Sequence, residues 1–182
     1  MKENKNNMTK YINNSVLVNK FITNQNEAKD LVEFLFKNEN NNFKLLYQAT
    51  RDGDKISDIE NKIKGYSPTL FLIQTKKGIK CCGYTKAYWS MDNKYKKDNS
   101  SFLFNFNNKK IFNIKNPEEA IICNPSEACF GNYFKSDYYI RNEFLKNGIY
   151  EHKTKMSYYS NNYAIQGENE SIISELEICF CN

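Results

Sequence analysis

From Thr69 onward the chain reads as one short strand after another, and the first of these has no polar side. Leu70, Phe71, Leu72 and Ile73 run without interruption. Successive side chains on a strand point to opposite faces, so an unbroken apolar run needs cover on both. Lys77–Gly78 then turns the chain, and Ile79 to Lys86 returns it. Phe102, Phe104 and Phe106 alternate with Leu103 and Asn105, the pattern of a half-buried strand. Asn107–Asn108 turns this strand into Lys110 to Lys115, where Phe112 and Ile114 share a face. Ala120 to Cys123 is another short strand, and residues 129–140 and 157–165 are tyrosine-rich with alternating character. The last strand, Ile172 to Phe180, sets Ile172, Leu176, Ile178 and Phe180 on one face. Ile173, Glu175, Glu177, Cys179 and Cys181 take the other.

Upstream the period changes. Residues 26–37 place Leu31, Phe34 and Leu35 at helical spacing, with Asn24 and Asn26 able to cap the start. Glu27 and Asp30 suit the positive first turn of such a helix. Phe43 to Ala49 is an apolar strand, and Asp52–Gly53 supplies a turn. Residues 55–64 predict a second short helix, with Ile56, Ile59 and Ile63 on one face and Gly65 to end it. Two helices followed by seven or more strands do not alternate as βαβ units. The expected fold is therefore mostly β (α+β): an antiparallel β-sandwich of two sheets with two flanking helices. Residues 1–14 are rich in Asn and Lys with few apolar anchors, and are expected to form a flexible tail. The domain then runs from 15 to 182.

Composition decides whether such a fold can hold a core. The mean hydropathy of −0.74 points toward disorder, but 40% hydrophobic and 15% aromatic residues are enough for one core. The polar excess is asparagine and lysine; arginine occurs only at Arg51 and Arg141. The net charge of +5 is unevenly spread. Residues 62–97 carry Lys62, Lys64, Lys76, Lys77, Lys80, Lys86, Lys94, Lys96 and Lys97 against Asp92 alone. Lysine without arginine forks predicts a solvated face, with weak attraction to anionic surfaces and no specific nucleic-acid partner. The six cysteines are Cys81, Cys82, Cys123, Cys129, Cys179 and Cys181. Met1 to Lys10 is polar throughout, so no secretory signal is expected, and the thiols are expected reduced in a cytoplasmic protein. The apolar runs are too short for a membrane span.

Chemistry is hard to assemble from these residues. His152, the single histidine, sits in a polar stretch between Tyr150 and Lys153, where a solvated role is expected. Zinc takes four ligands at recognisable spacing, and the cysteine pairs here are adjacent, two apart or six apart. Cys179 and Cys181 lie beside Glu175 and Glu177, whose carboxylates would raise a thiol pKa. Glu175 and Glu177 share a face and are candidates to meet a partner. Arg51, Asp52 and Gly53 suggest a buried Arg–Asp pair beside a turn, with a structural role. The seven glycines form no phosphate loop. No catalytic residue, metal or cofactor is expected.

In order along the chain, these segments resemble the TLDc domain family. Phe43-Lys-Leu-Leu-Tyr-Gln-Ala-Thr-Arg-Asp-Gly53 is similar to that family's Leu-Leu-Tyr opening in its Arg-Asp-Gly variant. Ser67-Pro-Thr-Leu-Phe-Leu-Ile-Gln-Thr75 follows, with Pro68 at the start of a strand, then Gly78, then Gly83-Tyr-Thr, then Trp89. Phe102-Leu-Phe-Asn-Phe106 resembles the family's Phe-Leu-Phe strand. Phe130-Gly131, followed by Asp137 and Tyr138, fits its Phe-Gly segment. Gly167, then Glu175-Leu-Glu-Ile178, looks like its closing strand. Cys82 departs from the family's Gly-Gly pair, and residues 141–157 depart from its pattern. The resemblance runs from about residue 15 to the end. It implies that Gly78 serves a turn, that Gly83 serves a close backbone approach, and that Trp89 anchors the loop after the hairpin. It also implies a non-catalytic protein-interaction domain that binds subunits of the vacuolar proton-pumping ATPase and is linked to oxidative-stress protection. Such a protein would be cytoplasmic, at most peripheral to endolysosomal or vacuolar membranes. The alternative is a thiol-based antioxidant protein using one of the cysteines.

Overall fold

The computed structural model describes residues 21–23, 26–27, 43–132, 138–150 and 170–181. The expected tail at 1–14 and residues 28–37 of the expected first helix lie outside the described residues. Residues 26 and 27 are helical.

Eleven strands are seen among the described residues. In chain order they are β1 (Phe43–Gln48), β2 (Thr69–Thr75), β3 (Lys80–Thr85), β4 (Phe102–Asn105), β5 (Lys110–Asn113) and β6 (Ile121–Asn124). Then come β7 (Glu127–Phe130), β8 (Tyr138–Arg141), β9 (Ile149–Tyr150), β10 (Glu170–Ser171) and β11 (Ile173–Cys181). The first sheet has the order β1-β11-β2-β3-β4-β5, and the second β10-β9-β8-β7-β6. Their pairings within each sheet are antiparallel, as a strand-rich chain with short turns requires. The expected β-sandwich is the fold observed.

The main core lies between the sheets. The first sheet contributes Phe71, Ile73, Cys81, Leu103, Phe112, Leu176 and Ile178, and the second Ile121, Cys123, Ala128, Phe130, Tyr138 and Ile140. Helix α2 covers one margin; it follows the one-turn helix α1 (Ala49–Asp52) and spans Ile56–Ile63. Ile56, Ile59 and Ile63 are all buried, as their spacing predicts. A third short helix, α3 (Phe144–Asn147), buries Phe144. The sequence does not predict the two single-turn helices, because four residues are too few to show a period.

The outer face of the first sheet holds a second cluster, which includes Leu70, Leu72, Cys82, Tyr84, Phe102, Phe104, Phe106, Cys179 and Cys181, with Phe21 and Ile22 packed into it. The unbroken run of β2 is thus buried on both sides, as expected. So is β4, where the sequence predicts a half-buried strand: Phe102, Leu103, Phe104 and Asn105 are all buried. Phe21 and Ile22 contribute to the second cover, which the alternation within β4 could not reveal. The last strand also differs. A register shift between Ile173 and Glu175 moves Ile173 onto the Leu176–Ile178 side. Ile172, expected on that side, is exposed.

Candidate functional site

Arg51, Asp52, Gly53, Glu175 and Glu177 are brought together at the corner where β1, α1 and α2 meet β11. The corner starts from chain reversal. The Gln48 backbone N–H donates to the Asp52 carboxylate at 2.9 Å, closing the single turn of α1. Gly53 then takes φ +110°, and a side chain there would run into the Asp58 carboxylate, so glycine is required on both counts. The Tyr47 hydroxyl donates to the Gly53 carbonyl at 2.5 Å, and the Lys55 N–H to Asp58 Oδ2 at 3.1 Å. Two further bonds tie the corner to the second sheet: Ile56 N–H to Asn142 Oδ1 at 2.7 Å, and Glu143 N–H to the Asp54 carbonyl at 2.8 Å.

Arg51 donates to Asp52 through Nε at 3.0 Å and through a terminal nitrogen at 2.6 Å. Lys62 approaches the same carboxylate at 3.4 Å. These cations, Arg51 first, hold the Asp52 carboxyl down at about 2, against the opposing effect of burial. The pair is not the buried one expected from the sequence, because the Arg51 side chain is 50% exposed. Its long stem carries the guanidinium beyond a one-turn helix that offers nothing to cover it.

Glu175 and Glu177, expected from the sequence to face a partner, are buried instead, at 4% and 1% exposure. Glu175 accepts the Thr50 N–H at 3.1 Å, the Thr50 hydroxyl at 2.5 Å and the Leu176 N–H at 3.2 Å. Glu177 accepts from the Gln48 side-chain amide at 3.0 Å. The physical reason is the position of β11 between β1 and β2, which places both carboxylates under α1 and the end of β1. Buried carboxylates must be hydrogen-bonded, and Gln48 and Thr50 supply donors. The sequence marks neither Gln48 nor Thr50, since they lie 129 and 125 residues from the carboxylates they meet.

The remaining family positions are fold-making. Pro68 precedes β2, and the Gly78 N–H closes the β2–β3 turn onto the Thr75 carbonyl at 3.0 Å. A Cβ at Gly83 would lie 2.7 Å from the ring of Phe130, so glycine lets the second sheet approach this closely. Phe130 packs edge-on against Phe71 and Trp89, with centroids at 5.4 and 5.3 Å. Trp89 also donates from its indole nitrogen to Thr69 Oγ1 at 3.1 Å. The Gly131 N–H donates to the Ala120 carbonyl at 2.9 Å. Gly167, Asp137 and His152 lie outside the described residues.

All six cysteines are free and buried. Burial pushes the thiols of Cys82, Cys129 and Cys179 well up, and those of Cys123 and Cys181 to about 12. Burial outweighs the neighbouring carboxylates here, whereas the sequence points to the carboxylates alone. Among the described residues no three His, Cys, Asp or Glu side chains cluster to hold a metal. Among them, too, no helix is long and apolar enough to cross a membrane.

Of the nine lysines of 62–97, seven are exposed, as a solvated face requires; Lys96 is half-buried, and Lys80 is the exception. Lys96 pairs with Asp92 at 2.5 Å, Lys97 pairs with Glu118, and Lys62 joins Asp52. Lys80 is buried and paired with Glu27. Its signal in the sequence is its strand position, two residues before Cys82 on an apolar face.

A family model described as TLDc domain matches residues 16–181. No curated protein matches the chain.

Proposed function

Because the chain belongs to the TLDc domain family, we propose that it is a non-catalytic protein-interaction domain that binds subunits of the vacuolar proton-pumping ATPase and through them contributes to oxidative-stress protection. The observation that carries this reading is the family match, which spans nearly the whole chain. The corner at α1 supplies the contact: a half-exposed Arg51, held in place by Asp52, on a support braced from both sheets. Arginine is favoured at the centre of protein interfaces because its planar fork binds carboxylates and backbone carbonyls in a defined direction.

Affinity purification from the native cell, followed by mass spectrometry, tests the reading. ATPase subunits should be enriched with the natural chain and reduced at least about fivefold with Arg51→Gln, a change at a half-exposed side chain. A partner set without ATPase subunits would remove the proposal. The thiol-antioxidant alternative finds no support in the geometry, because reactive thiols are accessible and low in pKa, whereas all six here are buried and those of Cys82, Cys123, Cys129, Cys179 and Cys181 are raised.

A further inference from the structure

Lys44, Phe180, Thr69 and Thr85 form one row across β1, β11, β2 and β3, so their side chains leave the first sheet on the same face. Two rings lie over this row. Tyr66 packs on Phe180 with ring centres 5.5 Å apart, and the Trp89 indole donates to Thr69 Oγ1 at 3.1 Å. Phe180 and Thr69 are register partners, so Tyr66 and Trp89 cover neighbouring positions. The Ser67 hydroxyl donates to the Lys86 carbonyl at 2.5 Å, which ties the chain after α2 to the chain after β3.

The surface that results is basic and aromatic. Tyr88, beside the buried Trp89, is 60% exposed, more than any other large hydrophobic side chain among the described residues. Lys44 is exposed, with Nζ 3.2 Å from the Tyr66 hydroxyl and 5.1 Å from the centre of its ring. Lys64, two residues before Tyr66, and Lys86, two before Tyr88, are exposed as well. Among the described residues none of these three lysines has an ion-pair partner. Neighbouring carboxylates are engaged elsewhere. Asp98 is buried and accepts from Thr85, the Lys86 N–H and Ser100, and Asp92 pairs with Lys96. We infer that Lys44, Lys64 and Lys86, set around Tyr66 and Tyr88, form a surface that rests on an anionic lipid bilayer. Lysine is a compact charge without a directional fork, which suits a diffuse field of headgroups, whereas a carboxylate or phosphate fixed in direction favours arginine. An exposed tyrosine has an apolar ring and a polar tip, and so matches the headgroup level of a membrane. The inference does not rest on ATPase binding, since it concerns lipid alone.

The test is co-sedimentation of the full chain, without ATPase, with vesicles of phosphatidylcholine containing about one-third phosphatidylserine. The chain should bind these, should leave pure phosphatidylcholine vesicles unbound, and should be released by high salt. Each lysine close to an anionic surface is worth about fivefold in affinity. The triple variant Lys44→Gln, Lys64→Gln, Lys86→Gln should therefore bind at least about thirtyfold more weakly. Lys64→Gln with Lys86→Gln leaves Lys44 on Tyr66 and should still lose at least about tenfold. Tyr88→Ala, at an exposed ring, should lose at least about threefold. Lys76→Gln, Lys77→Gln and Lys109→Gln remove the same net charge from the β2–β3 and β4–β5 turns, at the other end of the sheet, and together should lose less than about threefold. Absence of binding to the anionic vesicles would overturn the inference. Equal losses in the two triple variants would overturn it too, since net charge and not this surface would then be acting. Retention on soluble polyglutamate without retention on vesicles would assign the surface to an acidic protein segment and remove the lipid.

Discussion

The two faces of the first sheet are closed by different physics. The inner face is a jigsaw of apolar side chains, with Gly83 letting Phe130 sit against the backbone and Phe71 and Trp89 flanking the ring. The outer face buries charge as well: Lys80 on β3 and Glu175 on β11, both in register with Gln74 of β2, and Glu177. An apolar interlock loses stability when volume changes. A buried charge loses it when a partner is removed. The inner face should therefore be sensitive to size and the outer face to hydrogen bonding and charge.

The largest effect is expected on the inner face. Phe130→Ala should cost about 4 kcal/mol in urea unfolding, because a fully buried ring leaves a cavity between the sheets. Gly83→Ala should cost about 2 kcal/mol, because its methyl meets that same ring. Together the two should cost clearly less than their sum, since the truncation makes the room that the added methyl needs. Strict additivity would break the account of the interlock.

The outer face is probed next. Thr50→Val keeps shape and backbone N–H but removes the hydroxyl that donates to Glu175. It should lower stability by about 1.5 kcal/mol, the cost of an under-bonded buried carboxylate. A neutral result would mean that water satisfies Glu175 and that this part of the face is wetter than its burial implies.

Asp52 brings pH into the comparison. Its carboxyl is held down at about 2 in the folded protein, below the ordinary value of about 4. A depressed folded pKa contributes stability that is present above the unfolded value and lost as pH falls through the folded one. Asp52→Asn should therefore be less stable than the natural chain near pH 7, and the gap should close between about pH 4 and pH 2. Because Arg51 is half-exposed and screened by water, the gap should be only about 1 kcal/mol. Urea midpoints at pH 7 and pH 2 check both sign and size. Smallest of all, Lys97→Gln should change stability by less than about 0.5 kcal/mol, since its pair with Glu118 is more than half exposed on both sides.

Much of the architecture is legible residue by residue. The run Leu70–Ile73 announces burial on both faces, and the spacing of Ile56, Ile59 and Ile63 announces a helix with one buried side. Gly83 followed by Tyr84 and Thr85 in the family pattern points to close approach, which the Phe130 ring explains. The candidate corner is legible only in part. Arg51, Asp52 and Gly53 stand out, but as a buried pair, and Glu175 and Glu177 read as outward-facing. The burial of Lys80 is hidden within a run of otherwise ordinary lysines.

What the sequence determined by itself was local: where strands run and turn, and which side of helix α2 is apolar. These follow from periods of two and of three to four residues, which a chain carries within any short window. What only the tertiary structure decided was the fate of the charged groups. Lys80 meets Glu27 across 53 residues, and Thr50 meets Glu175 across 125. Whether a charge is buried depends on which distant donors or acceptors the fold delivers to it, because an unpaired charge cannot remain inside. That pairing is set by strand order, with β11 inserted between β1 and β2, and no local pattern encodes it.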